Sequence, residues 1–323
     1  MKNKKVLVFS NHLKPESVSA LSNQFEVTFP ENDKFTQEEI YKLLPHYDAI
    51  VPVGYKVDKT MLDIAAGHVK LIANFGAGYN NIDVDYATRL GIVVTNTPSP
   101  VIEPTAEHTL ALILTVSRHI TQYDKQLRQP GTNPWYSHRQ PSQNIFGKTL
   151  GIVGMGRIGQ SVARRARACG MNIIYHNRHR LAPEIEERYQ AQRVELDRLI
   201  ATADIISINV PLSAETHHLI NREHFLEMKP EAIIINTARG PIINERDLVE
   251  ALQKKWIAGA GLDVFEQEPV ISPELLLMDN VVLTPHSAVA DMETYNAICH
   301  NIEQNIIGFF EGRTDIDRVN ILP

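Results

Sequence analysis

An apolar strand, a glycine loop and a helix, in that order, constrain the fold of this chain more than any other feature. Residues 150–153 are mostly aliphatic, Gly154, Gly156 and Gly159 follow in the spacing G-x-G-x-x-G, and apolar side chains recur at helical spacing over 158–169. In such a loop the first glycine permits a tight turn, the second lets phosphate groups approach the backbone, and the third lets helix and strand pack closely. Plain strand–helix turns also contain such glycines. The flanking strands and helix nevertheless favour a dinucleotide site, with the pyrophosphate at the start of the helix.

Composition narrows the class of protein. A length of 323 residues favours two domains, and contents of 43% hydrophobic and 22% charged residues are typical of a soluble globular protein. With 32 basic and 38 acidic side chains the net charge is −6, which gives no reason to expect binding to nucleic acid or to an anionic membrane. Cys169 and Cys299 lie in apolar helical patterns, and no apolar run is long enough to span a membrane. We therefore expect a soluble protein of the reducing cytoplasm.

Strand and helix patterns alternate along the first hundred residues, as in βαβ units around a parallel sheet. Thr36 and Glu39 have the spacing of a capping box, and Gly91 is placed to end a helix. Residues 97–100, Thr-Pro-Ser-Pro, then interrupt the alternation as a stiff hinge. The predicted strands are Lys4–Phe9, Phe25–Phe29, Asp48–Val53, Lys70–Phe75 and Ile92–Thr95, and the predicted helices are Glu16–Ser22, Thr36–Leu44, Asp58–Ala66 and Asp83–Leu90.

A second alternating series contains the glycine loop, and its six predicted strands fit a complete doubly wound nucleotide-binding domain. Ahead of it, Thr105–Ile120 is apolar nearly all round, which predicts a helix buried in a core or against another subunit. Residues 126–144 are predicted as a loop, and the chain ends in a predicted helix over 291–311. The six strands are Leu150–Val153, Asn172–Tyr175, Asp204–Asn209, Ala232–Asn236, Ala258–Val264 and Val281–Thr284.

The residues after the second strand of this domain bear on the choice of cofactor. NAD enzymes usually carry an acidic residue there, hydrogen-bonded to the ribose 2′-hydroxyl. Here Asn177 is neutral, and Arg178, His179 and Arg180 follow it. Guanidinium groups bind phosphate through charge-assisted, often bidentate hydrogen bonds, which favours NADP(H). The alternative is a solvated basic turn with the cofactor held elsewhere, and a single neutral residue still admits NAD(H).

Three ionisable residues stand beside successive strand ends of the second series. Arg239, Glu268 and His286 each follow one of its last three predicted strands. Because the carboxyl ends of the strands face the ligand crevice in open α/β sheets, we expect these side chains to converge. Taken singly, each has a purely structural alternative: an ion-paired arginine, a loop carboxylate and a hydrogen-bonded histidine.

Together with the glycine loop, these segments make the chain resemble the D-isomer-specific 2-hydroxyacid dehydrogenases, and most of all their glyoxylate/hydroxypyruvate reductase branch. The resemblance spans almost the whole chain and includes 74–83, Asn-Phe-Gly-Ala-Gly-Tyr-Asn-Asn-Ile-Asp, and 95–98, Thr-Asn-Thr-Pro. It implies an α/β fold of two Rossmann-like or flavodoxin-like parallel-sheet domains. The dinucleotide-binding domain, 99–286, would be inserted into a discontinuous substrate-binding domain, 1–98 plus 287–323.

The resemblance also implies the reaction, NAD(P)H-dependent reduction of a small 2-keto acid (glyoxylate, hydroxypyruvate or a 2-ketogluconate-like acid) to the D-2-hydroxy acid. Arg239 would bind the substrate carboxylate and polarise the keto oxygen. His286 would give a proton to that oxygen, and histidine suits this because its reference pKa, about 6.5, lies near neutral pH. Glu268 would orient His286 and favour its protonated form. Ala77 and Gly78 would offer backbone N–H groups to the substrate carboxylate.

A set of cofactor contacts and a homodimer are implied as well. The predicted helix Thr105–Ile120 and the loop around Trp135 would contribute to the dimer interface. The implied cofactor-binding residues are Gly154, Gly156, Arg157, Ile158 and Gly159 at the pyrophosphate, Asn177 and Arg178 at the adenosine ribose, and Val210, Pro211, Thr216, Thr237, Asp263 and Thr105 along the path to the nicotinamide.

The chain departs from the family pattern at Ser287, where many members have an apolar residue, and in 131–138, which lack the usual tryptophan pattern of the branch. Other functions therefore stay open: an NAD-linked dehydrogenase of phosphoglycerate- or lactate-like D-2-hydroxy acids, a phosphite dehydrogenase, or a non-catalytic nucleotide-sensing protein resembling a co-repressor. A zinc enzyme is disfavoured, and no metal site is expected, because His217, His218 and His224 lack the spacing of zinc ligands.

Overall fold

The computed structural model describes residues 1–131 and 142–322, and the chain divides into two compact units. One unit comprises Met1–Val101 and Ala290–Pro323, and the other comprises Ile102–Val289. The boundaries predicted from the sequence, after residues 98 and 286, compare with residues 101 and 289 in the structure.

A parallel sheet of five strands forms the first unit. Its strands and first helices are β1 (Lys5–Val8), β2 (Glu26–Thr28), β3 (Ala49–Val51), β4 (Leu71–Ala73), β5 (Val93–Thr95), α1 (Ser19–Gln24), α2 (Gln37–Leu43), α3 (Lys59–Ala65) and α4 (Val84–Arg89). The strands lie in the order β2-β1-β3-β4-β5, and all pairs are parallel. Strands β3, β4 and β5 are buried at every residue, because helices cover both faces of such a sheet. The predicted capping box is present at the start of α2, where Thr36 and Glu39 bond each other reciprocally.

A parallel sheet of seven strands forms the second unit. Its elements are α5 (Ile102–Ser117), α6 (Ile120–Leu127), β6 (Thr149–Val153), α7 (Arg157–Ala168), β7 (Asn172–His176), α8 (Pro183–Tyr189), β8 (Ala191–Arg193), α9 (Leu196–Thr202), β9 (Ile205–Ile208), α10 (Arg222–Glu227), β10 (Ile233–Asn236), α11 (Glu245–Gln253), β11 (Gly259–Leu262), α12 (Pro273–Leu276) and β12 (Val281–Leu283). The order is β12-β11-β10-β9-β6-β7-β8. Its strand order reverses beside β6, the position at which open α/β sheets bind ligands. The predicted fold class, two parallel-sheet α/β domains, is confirmed.

Several element predictions need correction. The sheet of the second unit has a seventh strand, β8, which the sequence did not predict because its three residues include the exposed Gln192 and the partly exposed Arg193. The predicted helix Glu16–Ser22 is a 3-10 turn over Pro15–Val18 followed by α1. The predicted loop 126–144 begins later, because α6 continues to Leu127, and residues 132–141 of that loop lie outside the described residues.

Helix α5 corresponds to the predicted Thr105–Ile120 but ends at Ser117, and His119 follows in the left-handed conformation with φ of 52°. Only part of its surface is buried, since Ala111 is exposed. The buried side packs on β11, where a side chain at Gly261 would crowd Leu112 and Val116 of the helix. The glycine therefore lets α5 lie close to the sheet.

The last helix, α13 (Met292–Glu311), belongs to the first unit and agrees with the prediction over 291–311. Asp291 caps its first turn, and Gly312, with φ of 75°, ends it in the left-handed conformation. In 1–131 and 142–322, no helix has both the length and the apolar character needed to cross a membrane.

Candidate active site

The glycine loop between β6 and α7 has the backbone geometry that a pyrophosphate site needs. Gly154 has a φ of 96°, and a Cβ there would lie 2.7 Å from the Val210 nitrogen. A Cβ at Gly159 would overlap the Gly154 carbonyl, so this glycine lets α7 approach the loop. A Cβ at Gly156 would meet nothing within 4 Å, which leaves open space in front of the helix start. Arg157 and Ile158, the first residues of α7, stand beside that space.

The turn after β7 is held firmly, and its basic residues differ in what they contact. The Asn177 side chain accepts a hydrogen bond from the Met155 N–H of the glycine loop at 2.7 Å. Arg180 forms a bidentate ion pair with Glu186, which also accepts a hydrogen bond from Tyr175. Arg178 is exposed and forms no hydrogen bond or ion pair within the described ranges. Of the two arginines in this turn, Arg178 is therefore the one whose guanidinium is not held by a carboxylate of the described residues.

The segment after β9 borders the other side of the glycine loop. Thr216 donates a hydrogen bond to the Pro211 carbonyl at 2.7 Å and closes a short turn. Asn209 precedes Val210, and its Oδ1 atom is buried without a hydrogen-bond partner in the part of the chain that the structure describes. The open space at Gly156 and this unpaired acceptor both fit a bound dinucleotide.

A buried chain of hydroxyl groups links α5 to the end of β10. Thr109 donates to the Thr105 carbonyl at 2.7 Å, and its oxygen lies 2.8 Å from the Thr237 hydroxyl. Thr105 and Thr237 are both buried. Two of the predicted cofactor-path residues are therefore brought together by helix α5.

Arg239 follows β10 in a turn that Asn236 shapes by bonding the Ala238 N–H and the Arg239 carbonyl. Burial lowers the pKa of Arg239, and the negative charge of Glu268 partly offsets this. An arginine stays charged under these conditions because its reference pKa lies far above neutral pH. Gly240 permits the arrangement: a Cβ there would overlap the Phe265 carbonyl group, so only glycine lets these two loops touch backbone to backbone.

Glu268 and His286 form a hydrogen-bonded pair. Nδ1 of His286 lies 2.8 Å from Oε2 of Glu268, whose Oε1 accepts from the Phe265 N–H at 3.0 Å. Burial alone would raise the pKa of Glu268, but these hydrogen bonds and the charges of His286 and Arg239 outweigh it and lower the pKa. The carboxylate is therefore ionised at neutral pH. The structure thus brings Arg239, Glu268 and His286 together within the second unit.

The turn that carries His286 is anchored on a buried carboxylate. His286 has a φ of 50°, which is uncommon for a residue with a side chain and persists only where the surroundings hold it. Its N–H donates to the Asp263 carbonyl at 2.8 Å. Asp263 accepts from the Ser287 N–H at 2.8 Å, the Ala288 N–H at 3.1 Å and the Thr284 hydroxyl at 2.6 Å. In the structure the Asp263 carboxylate holds the His286 turn, and its predicted place along the cofactor path stays a prediction.

Ser287, which departs from the family pattern, takes part through its backbone. Its N–H is the group that bonds Asp263, whereas its hydroxyl is 3.5 Å from the same oxygen. Any residue can supply that N–H, so the turn does not depend on an apolar side chain here.

In the first unit, Ala77 and Gly78 lie in a loop whose carbonyl groups are bonded and whose N–H groups are not. Asn96 donates to the Ala77 carbonyl at 2.7 Å, and Asn74 donates to the Gly78 carbonyl at 2.9 Å. Within the described ranges the N–H groups of Ala77 and Gly78 donate no hydrogen bond. The loop therefore presents two adjacent donors suited to an anion.

Two residues of this site were not predicted from the sequence. Gly240 directly follows Arg239, and a glycine beside a candidate catalytic residue is the signal that could have found it. His108 of α5 lies 3.0 Å from the Thr284 hydroxyl, and its place inside an otherwise apolar helix pattern was the available signal.

The histidines considered as zinc ligands lie elsewhere in the second unit. His218 bonds Glu266 at 2.8 Å, and His217 packs against His218 with ring centroids 3.9 Å apart. Across 1–131 and 142–322, no three His, Cys, Asp or Glu side chains are grouped so that they could hold a metal ion.

Comparisons with known proteins agree with this geometry. Residues 110–288 match the model of the D-isomer specific 2-hydroxyacid dehydrogenase, NAD binding domain. A glyoxylate reductase of Pyrococcus furiosus is 38% identical over 97% of this chain and 95% of its own, and one of Thermococcus litoralis is 43% identical over 84% and 83%. The crystal structure of a glyoxylate reductase from Paecilomyes thermophila superposes with a TM-score of 0.87 at 35% identity and covers 99% of both chains.

These matches confirm the predicted oxidoreductase class, a nicotinamide-dependent enzyme that interconverts 2-keto and 2-hydroxy acids. The family match over 110–288 spans the glycine loop, the Arg239 turn and the Glu268–His286 pair. The chain belongs to the D-isomer specific 2-hydroxyacid dehydrogenase family.

Proposed function

We propose that this enzyme reduces a small 2-keto acid, with glyoxylate and hydroxypyruvate as the first candidates, to the D-2-hydroxy acid, and that it prefers NADPH to NADH. The observation that carries the proposal is the Glu268–His286 pair beside the charged Arg239, all three at the carboxyl ends of neighbouring strands. Glyoxylate is proposed because the relatives from Pyrococcus furiosus and Thermococcus litoralis are named glyoxylate reductase.

His286 is the proton donor of the proposed reaction. Its Nδ1 atom is bonded to the Glu268 carboxylate, which is ionised and can only accept, so Nδ1 carries a proton. Nε2 is therefore the atom that delivers a proton to the keto oxygen. The reduced nicotinamide, when bound, supplies the hydride to the keto carbon. In the reverse direction Nε2 takes the proton back from the hydroxyl group.

Arg239 supplies the positive charge. Its planar guanidinium suits a carboxylate and a carbonyl oxygen at once, and its partial burial strengthens the attraction by excluding water. The unpaired N–H groups of Ala77 and Gly78 are proposed as further donors to a substrate carboxylate. The guanidinium suits a short 2-keto acid, in which the carboxylate is adjacent to the reacting carbonyl group.

The proposed preference for NADPH depends on Arg178. Arg180 is engaged with Glu186, so Arg178 alone offers an exposed guanidinium in this turn. A hydrogen bond from Ser213 and then the charge of Arg178 lower the pKa of Glu215, in the segment after β9. Arg178 follows β7, the strand paired with β6 and its glycine loop, and its exposed guanidinium suits a 2′-phosphate there.

A homodimer in the cytoplasm completes the proposal. Helix α6 exposes Ile120 and Leu127 at 51% and 56%, and such apolar side chains favour an interface. Both cysteines are free thiols, as in a reducing compartment. Light scattering of the purified protein measures the dimer, and a monomer at micromolar concentration would contradict it.

The test is a panel of 2-keto acids assayed with purified protein and with both reduced cofactors, following the absorbance of NADPH or NADH. We expect turnover of glyoxylate or hydroxypyruvate, a D product by chiral chromatography, and a higher kcat/KM with NADPH. Absence of turnover on every keto acid, with NADPH binding intact by fluorescence, would overturn the proposed activity. A higher kcat/KM with NADH would overturn the cofactor preference alone.

A further inference from the structure

We propose that His108 is a positioning residue for the proposed reaction: it holds the turn that carries His286, through Thr284 and Asp263. The inference rests on the proposed function for its catalytic consequence. Its structural part concerns contacts within the second unit alone. His108 touches neither the Glu268 carboxylate nor His286 in the contacts of the described residues, so its effect passes through other groups.

The contacts form one connected group. His108 lies on α5 and is mostly buried, with 22% of its side chain exposed. Its Nε2 atom lies 3.0 Å from the Thr284 hydroxyl and 3.4 Å from Oδ1 of Asp263. Thr284 in turn lies 2.6 Å from the same Asp263 oxygen. Thr284 precedes His286 by two residues, so His108, Thr284 and Asp263 meet where the His286 turn begins.

The directions of these hydrogen bonds follow from counting protons. Burial would raise the pKa of Asp263, but hydrogen bonds from His108, Thr284 and Ser287 outweigh it and lower the pKa, so the carboxylate only accepts. The single hydroxyl proton of Thr284 therefore points to Asp263. The Thr284 oxygen must then accept from Nε2 of His108, which fixes the proton on that ring nitrogen.

His108 is also the only one of these donors that comes from outside the turn. Within the described residues, the other groups that reach the Asp263 carboxylate are Thr284, Ser287 and Ala288, all in the segment that the carboxylate holds. Backbone hydrogen bonds already join both partners to the sheet, since the Asp263 N–H donates to the Asn236 carbonyl and the Thr284 N–H donates to the Leu262 carbonyl. His108 adds a side-chain link from the Asp263 carboxylate and the turn to α5, which packs against β11. This link helps to keep the backbone of His286 in its left-handed conformation.

The experiment compares His108→Leu with His108→Gln in the full-length enzyme, with His68→Gln as a control at an exposed histidine of the first unit. Leucine removes the N–H donor, whereas the glutamine amide can replace Nε2–H. We expect kcat to fall about tenfold in His108→Leu, on the order expected for one lost hydrogen bond to an aligned group, and the solvent deuterium isotope effect on kcat to rise. KM for the keto acid should change less than twofold. His108→Gln should recover most of the rate.

Amide hydrogen exchange gives a readout that needs no turnover. Peptides covering 284–289 should exchange about tenfold faster in His108→Leu, near the wild-type rate in His108→Gln, and unchanged in His68→Gln. In the double variant His108→Leu with Thr284→Val, the loss in kcat should be smaller than the two single losses combined, because both side chains contact each other and the same Asp263 oxygen. Urea unfolding of each variant separates a local effect from a global loss of stability.

The inference is overturned if exchange over 284–289 is the same in His108→Leu and wild type, or if it accelerates while kcat and the isotope effect stay constant. Equal rates for His108→Leu and His108→Gln would also overturn it. If the wild-type enzyme turns over no keto acid, the proposed function falls, and hydrogen exchange still decides whether His108 holds the turn.

Discussion

Replacing Glu268 by glutamine tests the proposed role of the Glu268–His286 pair with the smallest change in shape. The Glu268 carboxylate has two oxygens, and each accepts one hydrogen bond, from His286 Nδ1 at 2.8 Å and from the Phe265 N–H at 3.0 Å. Glutamine keeps one acceptor, so its NH2 group must face one of these two donors. Whichever way it turns, either the loop or the histidine loses its partner.

The size of the effect follows from the kind of bond lost. A hydrogen bond to a charged group contributes about 1.5–3 kcal/mol, and each 1.36 kcal/mol is a factor of ten in rate. Because the side chains of His286 and Glu268 are 45% and 35% exposed, solvent screens part of this. We therefore expect Glu268→Gln to lower kcat for keto-acid reduction roughly tenfold to thirtyfold.

The assay measures kcat, KM and the affinity for NADPH from pH 6 to pH 9, with Glu274→Gln as the control at an exposed carboxylate of α12. The affinity for NADPH should stay within twofold of wild type. A variant that keeps half of the wild-type kcat, or that loses cofactor affinity as strongly as rate, would refute the role of Glu268.

Four further predictions concern single side chains of the second unit. His286→Ala should lower kcat about 100-fold or more through loss of general-acid catalysis, with NADPH affinity unchanged by fluorescence titration; full activity would remove His286 from the mechanism. Arg239→Lys should raise KM for the keto acid and lower kcat in the same assay, because an ammonium cannot replace the planar fork; a wild-type kcat/KM would speak against that role. Arg178→Ala should weaken NADPH more than NADH in equilibrium titrations, and equal losses would end the 2′-phosphate proposal. Asp263→Asn should make the free energy of unfolding less dependent on pH in the acid range. Because the pKa of Asp263 is lowered in the folded state, the stabilisation by its carboxylate is complete above the unfolded value near 3.8 and is lost as the pH falls through the lower folded value. Urea unfolding from pH 6 to pH 3 measures this, and parallel curves for variant and wild type would contradict it.

The parallel sheets could be predicted because buried strands are continuous apolar runs and the glycine loop marks one strand end unambiguously. The edge strand β8 could not, since an edge strand needs only one partner and tolerates Gln192 and Arg193. The end of α5 was also beyond reach, because the left-handed His119 that separates it from α6 interrupts no hydrophobic pattern.

Within the site, the sequence predicted which ionisable residues follow strand ends, because that depends on the order of elements. It did not predict which charges neutralise one another. Arg178 and Arg180 look equivalent in sequence, yet Arg180 is bonded to Glu186 across a tight turn. His108 was hidden for a similar reason, since its partners Thr284 and Asp263 lie more than 150 residues away along the chain.

The contact between Gly240 and Phe265 couples the position of the Arg239 turn to that of the loop that holds Glu268. The two backbones are in direct contact there, so a larger residue or a change of backbone conformation in either loop would displace the other. A redesign of the Arg239 turn would therefore also displace Phe265, whose N–H holds the Glu268 carboxylate.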